Sequence, residues 1–419
     1  MSNSQNRNNI VAHQEIWCGK EVVLIDAVHG EDSKIHGNRE NESNMNEEKF
    51  DDVRILEQKR DTSQTVKESQ DFMYPCTVCP TWLRPIDGKT TVIPSIQEIK
   101  SWDFDVLIYN EEVLVPVCEK MLEYYDLYQK FNIDKVVMND FIVNVWKNHE
   151  SLPYHNWYHA VGTMNTIFNF LTLAGAEAYA TDLEIFVMLI GGLAHDTQHP
   201  GQNNEYHIKI GSERAKRFQD ISIHENHSIN WTIELWERPI DHDHILSGLT
   251  ADDRSYFLDY FRRVILYTDP SVHGELSKRL IQIINEKVNN GAEAFDRNIK
   301  EDRILLGECL LHASDISNPA HGDFETAKDW CQRIATEFRE QVFLEKQRGV
   351  TVTGYMDGLD TELAVVKMQI GFCNFMALPF FQLVGKVLPR SKVLEENIIR
   401  NTKGYEERMK VILFPSSEK

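Results

Sequence analysis

Features that define several common protein classes are scarce or missing in this chain of 419 residues. Its seven cysteines are scattered and odd in number, which excludes a disulfide framework and suits a reducing compartment. The one C-x-x-C, Cys76 and Cys79, has no second pair, so it is weak evidence of a metal site. There is no glycine-rich phosphate loop and no Gly-x-Ser-x-Gly, the motifs of P-loop nucleotidases and serine hydrolases.

Positive charge is also in short supply. The chain has 44 Lys and Arg against 65 Asp and Glu, a net charge of −21. Sequence-independent nucleic-acid binding and attraction to anionic membranes both depend on cationic side chains, so we expect neither. The longest apolar run, Ile185 to Ala194, is too short to span a bilayer, and the N-terminus lacks the apolar core of a secretory signal. We therefore expect a cytoplasmic protein without membrane insertion.

The chain divides into two regions of different composition. Residues 1–94 include a stretch from Gly30 to Gln70 that is rich in Asn, Glu, Asp and Ser and poor in large apolar groups. Such a stretch cannot bury enough surface to offset its ordering entropy, so we predict that residues 1–94 are largely disordered and dispensable for folding and chemistry.

Residues 95–415 predict a single all-α domain. Ser95 and Glu98 form a capping-box pattern, and Thr181 to Leu193 is apolar on nearly all faces, as in a central buried helix. Arg303 to Asp315 and Glu362 to Leu383 have a similar character. No set of regularly spaced, alternating strands competes with this interpretation.

Histidine and carboxylate side chains recur at four places along this helical region. His155 and His159 are four residues apart after Pro153, which suggests a helix start with both imidazoles on one face. Alone, the two could equally be surface histidines near a helix end.

His195-Asp196 ends the apolar helix, where burying an unpaired imidazole and carboxylate would be costly and a metal ion would supply the compensating charge. Asp315 follows a second apolar helix, and His199, Glu225 and His227 are further candidates. The alternatives are a helix-terminal His beside a capping Asp, and an Asx turn at Asp315. Jointly, the pattern favours a divalent-metal site.

At these residues the chain resembles the class I cyclic nucleotide phosphodiesterases, whose catalytic domain is a multi-helix fold of the HD type. The resemblance runs from about Trp102 to Gln369 and rests on six motifs in the family's order: Pro153-Tyr154-His155-Asn156 with His159, His195-Asp196 with His199-Pro200-Gly201, Glu225-Asn226-His227, Thr268-Asp269 with His273, Asp315-Ile316-Ser317-Asn318-Pro319, and Gln369-Ile370-Gly371-Phe372.

The resemblance implies a role for each matching residue. A zinc ion would be held by His159, His195, Asp196 and Asp315, with Asp196 reaching a second ion, magnesium or manganese. His199 and Glu225 would orient the water ligands. His155 would be the general acid, oriented by Glu337. Gln369 would bind the purine edge between Phe372 and Ile334, and Tyr154 and Asn318 would line the pocket.

The implied activity is metal-dependent hydrolysis of a 3′,5′-cyclic nucleotide to the 5′-monophosphate, which would end a cyclic nucleotide signal. Asn318 favours cyclic AMP, whereas Ala327 and Cys331 would hold the Gln369 amide loosely, so cyclic GMP stays a rival substrate. Two positions depart from the family pattern, namely Ser228 and Pro270. A homodimer is compatible with the sequence, which sets no oligomeric state.

Two other functions compete with this interpretation. Another HD-type metal-dependent phosphohydrolase would share His195-Asp196, but it would not need Gln369 and Phe372, and a triphosphate substrate would call for basic groups. A non-catalytic nucleotide-binding regulator would be expected to have lost a ligand or the acid, and none is lost.

Overall fold

The described residues form helices joined by turns and loops. The computed structural model describes residues 90–237 and 244–415, and the predictions for Gly30–Gln70 and for Cys76 and Cys79 lie outside these ranges. The α-helices are α1 (Ile96–Ile99), α2 (Glu111–Tyr124), α3 (Leu127–Lys130), α4 (Lys135–Lys147), α5 (Trp157–Thr172), α6 (Asp182–Ala194), α7 (Asn204–Ile210), α8 (Glu213–Arg217), α9 (Ile223–Glu237), α10 (Ala251–Leu266), α11 (His273–Glu286), α12 (Lys300–Asp315), α13 (Phe324–Arg348), α14 (Glu362–Phe372), α15 (Leu378–Val387) and α16 (Lys392–Leu413).

The predicted all-α class is confirmed. Within the described ranges, extended pairing is limited to one isolated bridge between Thr90 and Tyr109. Through it, the Thr90 N–H donates to the Ile108 carbonyl at 3.1 Å and the Thr90 carbonyl accepts from Asn110 at 3.0 Å. The chain is therefore attached to the helical domain a few residues before the predicted boundary at residue 95.

Helix α6 lies at the centre of the domain, as its apolar sequence predicts. Every residue from Leu183 to Ala194 is buried, and Thr181 caps the helix in a capping box with Glu184. Helices α5, α10 and α12 all pack against α6. The ends of α5, α6 and α12 are thereby brought to one region of the domain.

A glycine permits the close approach of α5 and α6. A Cβ atom on Gly192 would lie 2.5 Å from Ile167 Cδ1 and 3.3 Å from the backbone nitrogen of Met164. Gly192 lies two residues before the end of α6 at Ala194, and Met164 follows His159 by five residues on α5. The missing side chain therefore allows α5 and α6 to pack closely at the ends that carry His159 and His195.

One expectation about local structure is wrong. Helix α5 begins at Trp157 and not near Pro153, because Asn156 is its N-cap and accepts a hydrogen bond from the His159 N–H at 3.1 Å. His155 therefore precedes the helix, and it does not share a helix face with His159. Asn, a preferred N-cap residue, was the signal for this start.

One stretch of the described residues is long and apolar enough to cross a membrane by length and composition, Glu362–Val387. It joins α14 to α15 through a π-helical segment, Cys373–Ala377, and most of it is the stretch from Glu362 to Leu383 that the sequence predicts to be a buried helix. Phe380, Phe381 and Val384 on this stretch are buried in the main hydrophobic core. Buried core helices pass the same test, so the stretch is an element of the packed domain.

We expect Gly192→Ala to lower the free energy of unfolding by about 1–3 kcal/mol, the usual cost of overpacking a dense core. Metal affinity should fall with it, because α5 and α6 must move apart. Urea denaturation and metal analysis measure the two effects. Gly162→Ala on α5 is the matched control, since its Cβ would meet only Val106, at 3.7 Å. Equal stability of the two variants would contradict the proposed close approach.

Candidate metal centre and the groups around it

Four predicted ligands converge where three helices end. His159 lies in the first turn of α5, His195 is the C-cap of α6 with Asp196 next in the chain, and Asp315 is the last residue of α12. One ligand atom from each lies within 4.8 Å of the others. His159 Nε2 is 3.0 Å from Asp315 Oδ1 and 3.4 Å from Asp196 Oδ2. These residues, which are 156 positions apart at most, form one cluster.

The tautomer of His195 is fixed by its neighbour. Its Nδ1 lies 2.9 Å from the Gly192 carbonyl oxygen, which can only accept, so Nδ1 carries a proton. In the neutral ring, Nε2 then presents a lone pair. That atom is 3.2 Å from Asp196 Oδ2 and 3.2 Å from Asp315 Oδ1. At this distance from two carboxylate oxygens, Nε2 needs a positive charge, supplied either by its own proton or by a bound cation. Backbone support of this kind at Nδ1 is usual for metal-binding histidines.

Electrostatics leads to the same conclusion. Burial alone would lower the pKa of His195, but Asp196 and Asp315 outweigh it and raise the pKa well above its usual range. Burial likewise opposes ionisation of Asp315, yet His159 and His195 hold the pKa of that carboxyl below its usual range. The cluster therefore stabilises a cation at its centre. Two imidazoles and two carboxylates are a donor set that zinc accepts, so the residues present fit a divalent metal ion.

A second group of side chains adjoins this centre. Glu337 Oε1 accepts from the backbone N–H groups of Tyr154 and His155, at 2.7 and 2.9 Å, and Glu337 Oε2 lies 2.5 Å from His155 Nδ1. Glu337 is 1% exposed. Because both of its oxygens are already engaged, Glu337 orients His155 and is not placed to be a metal ligand.

The charge state of His155 follows from this pairing. Burial lowers its pKa, but the Glu337 carboxylate more than offsets burial and raises the pKa to about 9. His155 is therefore an imidazolium at neutral pH. Its ring stacks on His199 with centroids 3.9 Å apart. Burial and the His155 charge hold the pKa of His199 well below its usual range, and the Gly201 N–H donates to His199 Nδ1 at 3.1 Å, so a neutral His199 carries its proton on Nε2.

Glu225 lies behind these imidazoles on α9. Burial and the nearby Asp269 raise its pKa well above the usual range, and Asn204 donates to its Oε2 at 3.0 Å. His227, the other candidate of this motif, lies elsewhere: its Nε2 is 2.9 Å from Gln198 Oε1. Glu225 therefore lies on the side of α9 that faces the catalytic histidines. His227 instead contacts Gln198.

The residues predicted to bind substrate are on four segments of the chain. Tyr154 and Asn318 touch directly, with Asn318 Nδ2 donating to the Tyr154 hydroxyl at 2.7 Å. Ile334 precedes Glu337 by one turn on α13, and Gln369 precedes Phe372 by one turn on α14, which packs against α13. Gln369 is buried, and its Nε2 donates to Cys373 Sγ at 3.7 Å. This contact was not expected from the sequence.

Two further residues of α13 were missed by the sequence analysis. Trp330 packs edge-on against Tyr154, with ring centroids 5.5 Å apart. Arg333 donates to the Pro153 carbonyl at 3.4 Å. Arg333 and Glu337 are four residues apart, which places them on one helix face. This spacing was the signal that both could bind the segment around Tyr154. Together they position the chain that carries His155.

Comparison with known proteins supports this architecture. Residues 154–398 match the family described as 3′5′-cyclic nucleotide phosphodiesterase. The chain belongs to this family. The matched segment contains every candidate residue discussed above.

Individual relatives show the same relationship. The chain is 33% identical over 320 residues to the 3′,5′-cyclic-nucleotide phosphodiesterase regA of Dictyostelium discoideum, covering 75% of this chain and 38% of that protein. It is 28% identical over 306 residues to the high affinity cGMP-specific 3′,5′-cyclic phosphodiesterase 9A of Mus musculus, covering 73% and 54%. The chain thus spans about two-fifths to one half of these relatives.

A solved structure resembles the fold closely. The phosphodiesterase domain of Salpingoeca rosetta rhodopsin phosphodiesterase is 28% identical, with a TM-score of 0.70, and the match covers 75% of this chain and 93% of that one. The predicted fold, a multi-helix phosphodiesterase catalytic domain, is therefore confirmed.

The two departures from the family pattern are accommodated locally. Ser228 is buried, and its hydroxyl donates to the Glu225 carbonyl at 3.1 Å without interrupting α9. Pro270 is the first residue of a short 3₁₀ helix capped by Asp269, whose Oδ1 accepts from the Ser271 N–H at 2.8 Å. Neither substitution changes the four-ligand cluster.

We expect Asp315→Ala to lower affinity for zinc more than about 100-fold, because losing a direct ligand should exceed the 10–100-fold cost of losing an outer partner. Dialysis against a graded chelator followed by elemental analysis measures the loss. The control is Asp357→Ala, which removes a carboxylate whose partner is the exposed Lys346. Unchanged zinc retention in Asp315→Ala would contradict the metal centre.

Proposed function

We propose that the chain hydrolyses a 3′,5′-cyclic nucleotide to the 5′-nucleoside monophosphate. The observation that carries the proposal is the Glu337–His155 pair beside the four-ligand cluster: a charged, oriented proton donor next to a metal centre, within a chain of this family. Phosphodiester hydrolysis needs these two parts, an acid for the departing oxygen and a source of positive charge at the phosphate.

The metal centre supplies the electrophilic half of the reaction. His159, His195, Asp196 and Asp315 would hold a zinc ion, and Asp196 would extend to a magnesium or manganese ion. Bound there, the ions would polarise the phosphate and lower the pKa of a water molecule. Because the ions neutralise the phosphate charge, an acidic chain can accept an anionic substrate without a cluster of basic side chains.

His155 supplies the proton. As an imidazolium held through Nδ1 by Glu337, it presents Nε2–H to the O3′ leaving group, and it becomes neutral when that oxygen departs with the proton. The other oxygen of Glu337 accepts from the backbone N–H groups of Tyr154 and His155, which fixes the carboxylate in place beside the ring. His199 and Glu225 would orient the attacking water and its neighbours.

The purine would lie between Phe372 and Ile334, with its polar edge on Gln369. Gln369 can serve adenine or guanine depending on which way its amide is held. Family membership does not choose between them, since the mouse relative is cGMP-specific by name. The other residues of the predicted pocket therefore decide the preference.

Among these residues, Asn318 favours cyclic AMP. Asn318 uses its amide nitrogen on the Tyr154 hydroxyl, which leaves its Oδ1 as the free acceptor for the adenine amino group. The contact from Gln369 to Cys373 Sγ is a weak one, because sulfur is a weak acceptor, and Ala327 and Cys331 on α13 add no strong anchor. We infer a preference for cyclic AMP that is moderate and not absolute.

A cytoplasmic location belongs to the same proposal. The cysteines within the described ranges, Cys118, Cys309, Cys331 and Cys373, are all free and buried. Free thiols agree with a reducing compartment.

We predict that His155→Ala lowers kcat about 10²–10⁴-fold, the usual contribution of a positioned acid, while metal content stays intact. The loss should shrink for a substrate whose leaving group needs no proton. Steady-state kinetics with elemental analysis of the same sample makes the measurement. A variant that loses metal instead would show that His155 is a ligand.

Glu337→Gln should change the pH dependence in a defined direction. His155 must be protonated to act, so kcat/KM falls as pH rises through its pKa. Removing the carboxylate that raises this pKa moves the basic limb of the profile to lower pH. Glu340→Gln is the matched control, because it makes the same change three residues further along α13. A basic limb that does not move in Glu337→Gln would contradict the pairing.

We expect kcat/KM for cyclic AMP to exceed that for cyclic GMP, and Asn318→Ala to narrow the ratio, because the adenine amino group loses its acceptor. Competition between the two nucleotides in one reaction gives the ratio directly. A ratio at or below unity for the unmodified chain would refute the preference.

A further inference from the structure

Two buried imidazoles have no part in the mechanism above. His207 lies on α7 and His224 on α9, and they are 8% and 7% exposed. Their ring centroids are 4.9 Å apart, and the rings are nearly perpendicular at 85°. The ring of His224 is also 4.7 Å from that of His199. The pair is therefore enclosed between two helices, beside the catalytic groups but separate from the four ligands.

Three nitrogens of this pair lack hydrogen-bond partners. Both ring nitrogens of His224 and the Nε2 of His207 are buried and unpaired. His207 Nδ1 is the exception, at 3.0 Å from Ser212 Oγ. An unsatisfied buried polar group costs about 1–3 kcal/mol. An occupant that binds one nitrogen of each ring would satisfy two of the three.

The protonation state identifies what that occupant must be. Burial, with Arg214 and Arg348 nearby, lowers the pKa of His207 to about 4. Burial and the neighbouring His207 hold the pKa of His224 well below its usual range. Both rings are therefore neutral at pH 7, and each offers an sp² lone pair. Neutral imidazole is the preferred ligand of zinc, nickel and copper ions.

We propose that His207 and His224 bind a further transition-metal ion, with zinc as the natural candidate. Their centroid separation of 4.9 Å is close to the 5.2 Å between His159 and His195, the imidazole pair of the metal centre. Arg214 and Arg348 oppose a cation here, and no carboxylate belongs to the pair. This ion is accordingly held more weakly than those of the metal centre and is the first to be removed by a chelator.

Occupancy would link two helices that support catalysis. Asn204, the first residue of α7, accepts from the backbone N–H of His224 at 3.0 Å and donates to Glu225 Oε2 at 3.0 Å. An ion between His207 and His224 would join α7 to α9 next to this contact. It would thereby hold Glu225 in place and stabilise the folded chain by linkage.

The test uses the full chain carrying Asp315→Ala, in which the metal centre is disabled. After cobalt or zinc loading and gel filtration, elemental analysis should find one ion that remains per chain, and cobalt should show visible d–d absorption. Adding His224→Leu or His207→Leu should lower the affinity for this ion more than about 100-fold, since each removes a direct ligand. Adding cobalt or zinc should raise the Tm of the Asp315→Ala chain. It should not raise the Tm of chains that also carry His207→Leu or His224→Leu.

The matched control is His321→Asn in the same background. His321 also has a buried unpaired Nε2, and the structure shows no ring contact between it and a second histidine. It should leave loading unchanged. If a leucine variant does not fold, His207→Gln or His224→Gln is measured in its place. If chains with and without both imidazoles bind the same amount of metal, the metal is an adventitious ion only, and the proposal is overturned. The absence of any bound ion in the Asp315→Ala chain would also overturn it. Neither outcome bears on hydrolysis, which is measured in the unmodified chain.

Discussion

The structure depends on one electrostatic constraint: two carboxylates and two imidazoles meet in a buried space that is stable only around a positive charge. Asp196 and Asp315 could not both be ionised there without a cation, and the His195 lone pair faces their oxygens. Removing charged groups from water costs several kcal/mol each unless partners compensate. The packing of α5, α6 and α12, including the missing side chain at Gly192, serves to bring these groups together.

The general acid His155 is also paired with an opposite charge, which here comes from the protein's own Glu337 and not from a metal ion. Glu337 is buried on α13, a helix distant in sequence from His155, and it holds both the imidazole and the backbone that carries it. Arg333 donates a hydrogen bond to the Pro153 carbonyl in the same segment. The proton donor is thus positioned by α13, whereas the metal ligands are positioned by the core helices. The two halves of the site have separate supports, which is why their contributions can be separated by mutation.

Much of the site was predictable because its motifs are local. The apolar run of α6 followed by His195-Asp196 indicates a buried helix ending in ligands, and Asp315 ends α12 in the same way. The start of α5 was wrongly placed, because Pro153 suits the first turn of a helix and Asn156 suits an N-cap, and only the structure shows that Asn156 sets the start. Local sequence also left His207 and His224 unremarked, because two histidines on separate helices show no pattern until packing brings them together. The Gln369–Cys373 contact depends on the π-helical turn after α14, which sequence periodicity does not reveal.

The most direct test of the account is hydrolysis of cyclic AMP in ¹⁸O-labelled water by the purified chain, before and after removal and restoration of divalent metal. The account predicts 5′-AMP with one ¹⁸O on its phosphate, formed by the metal-loaded chain, lost on stripping and regained when zinc and magnesium are returned. Turnover that survives complete removal of metal, or a product with its phosphate on the 3′ oxygen, would contradict it.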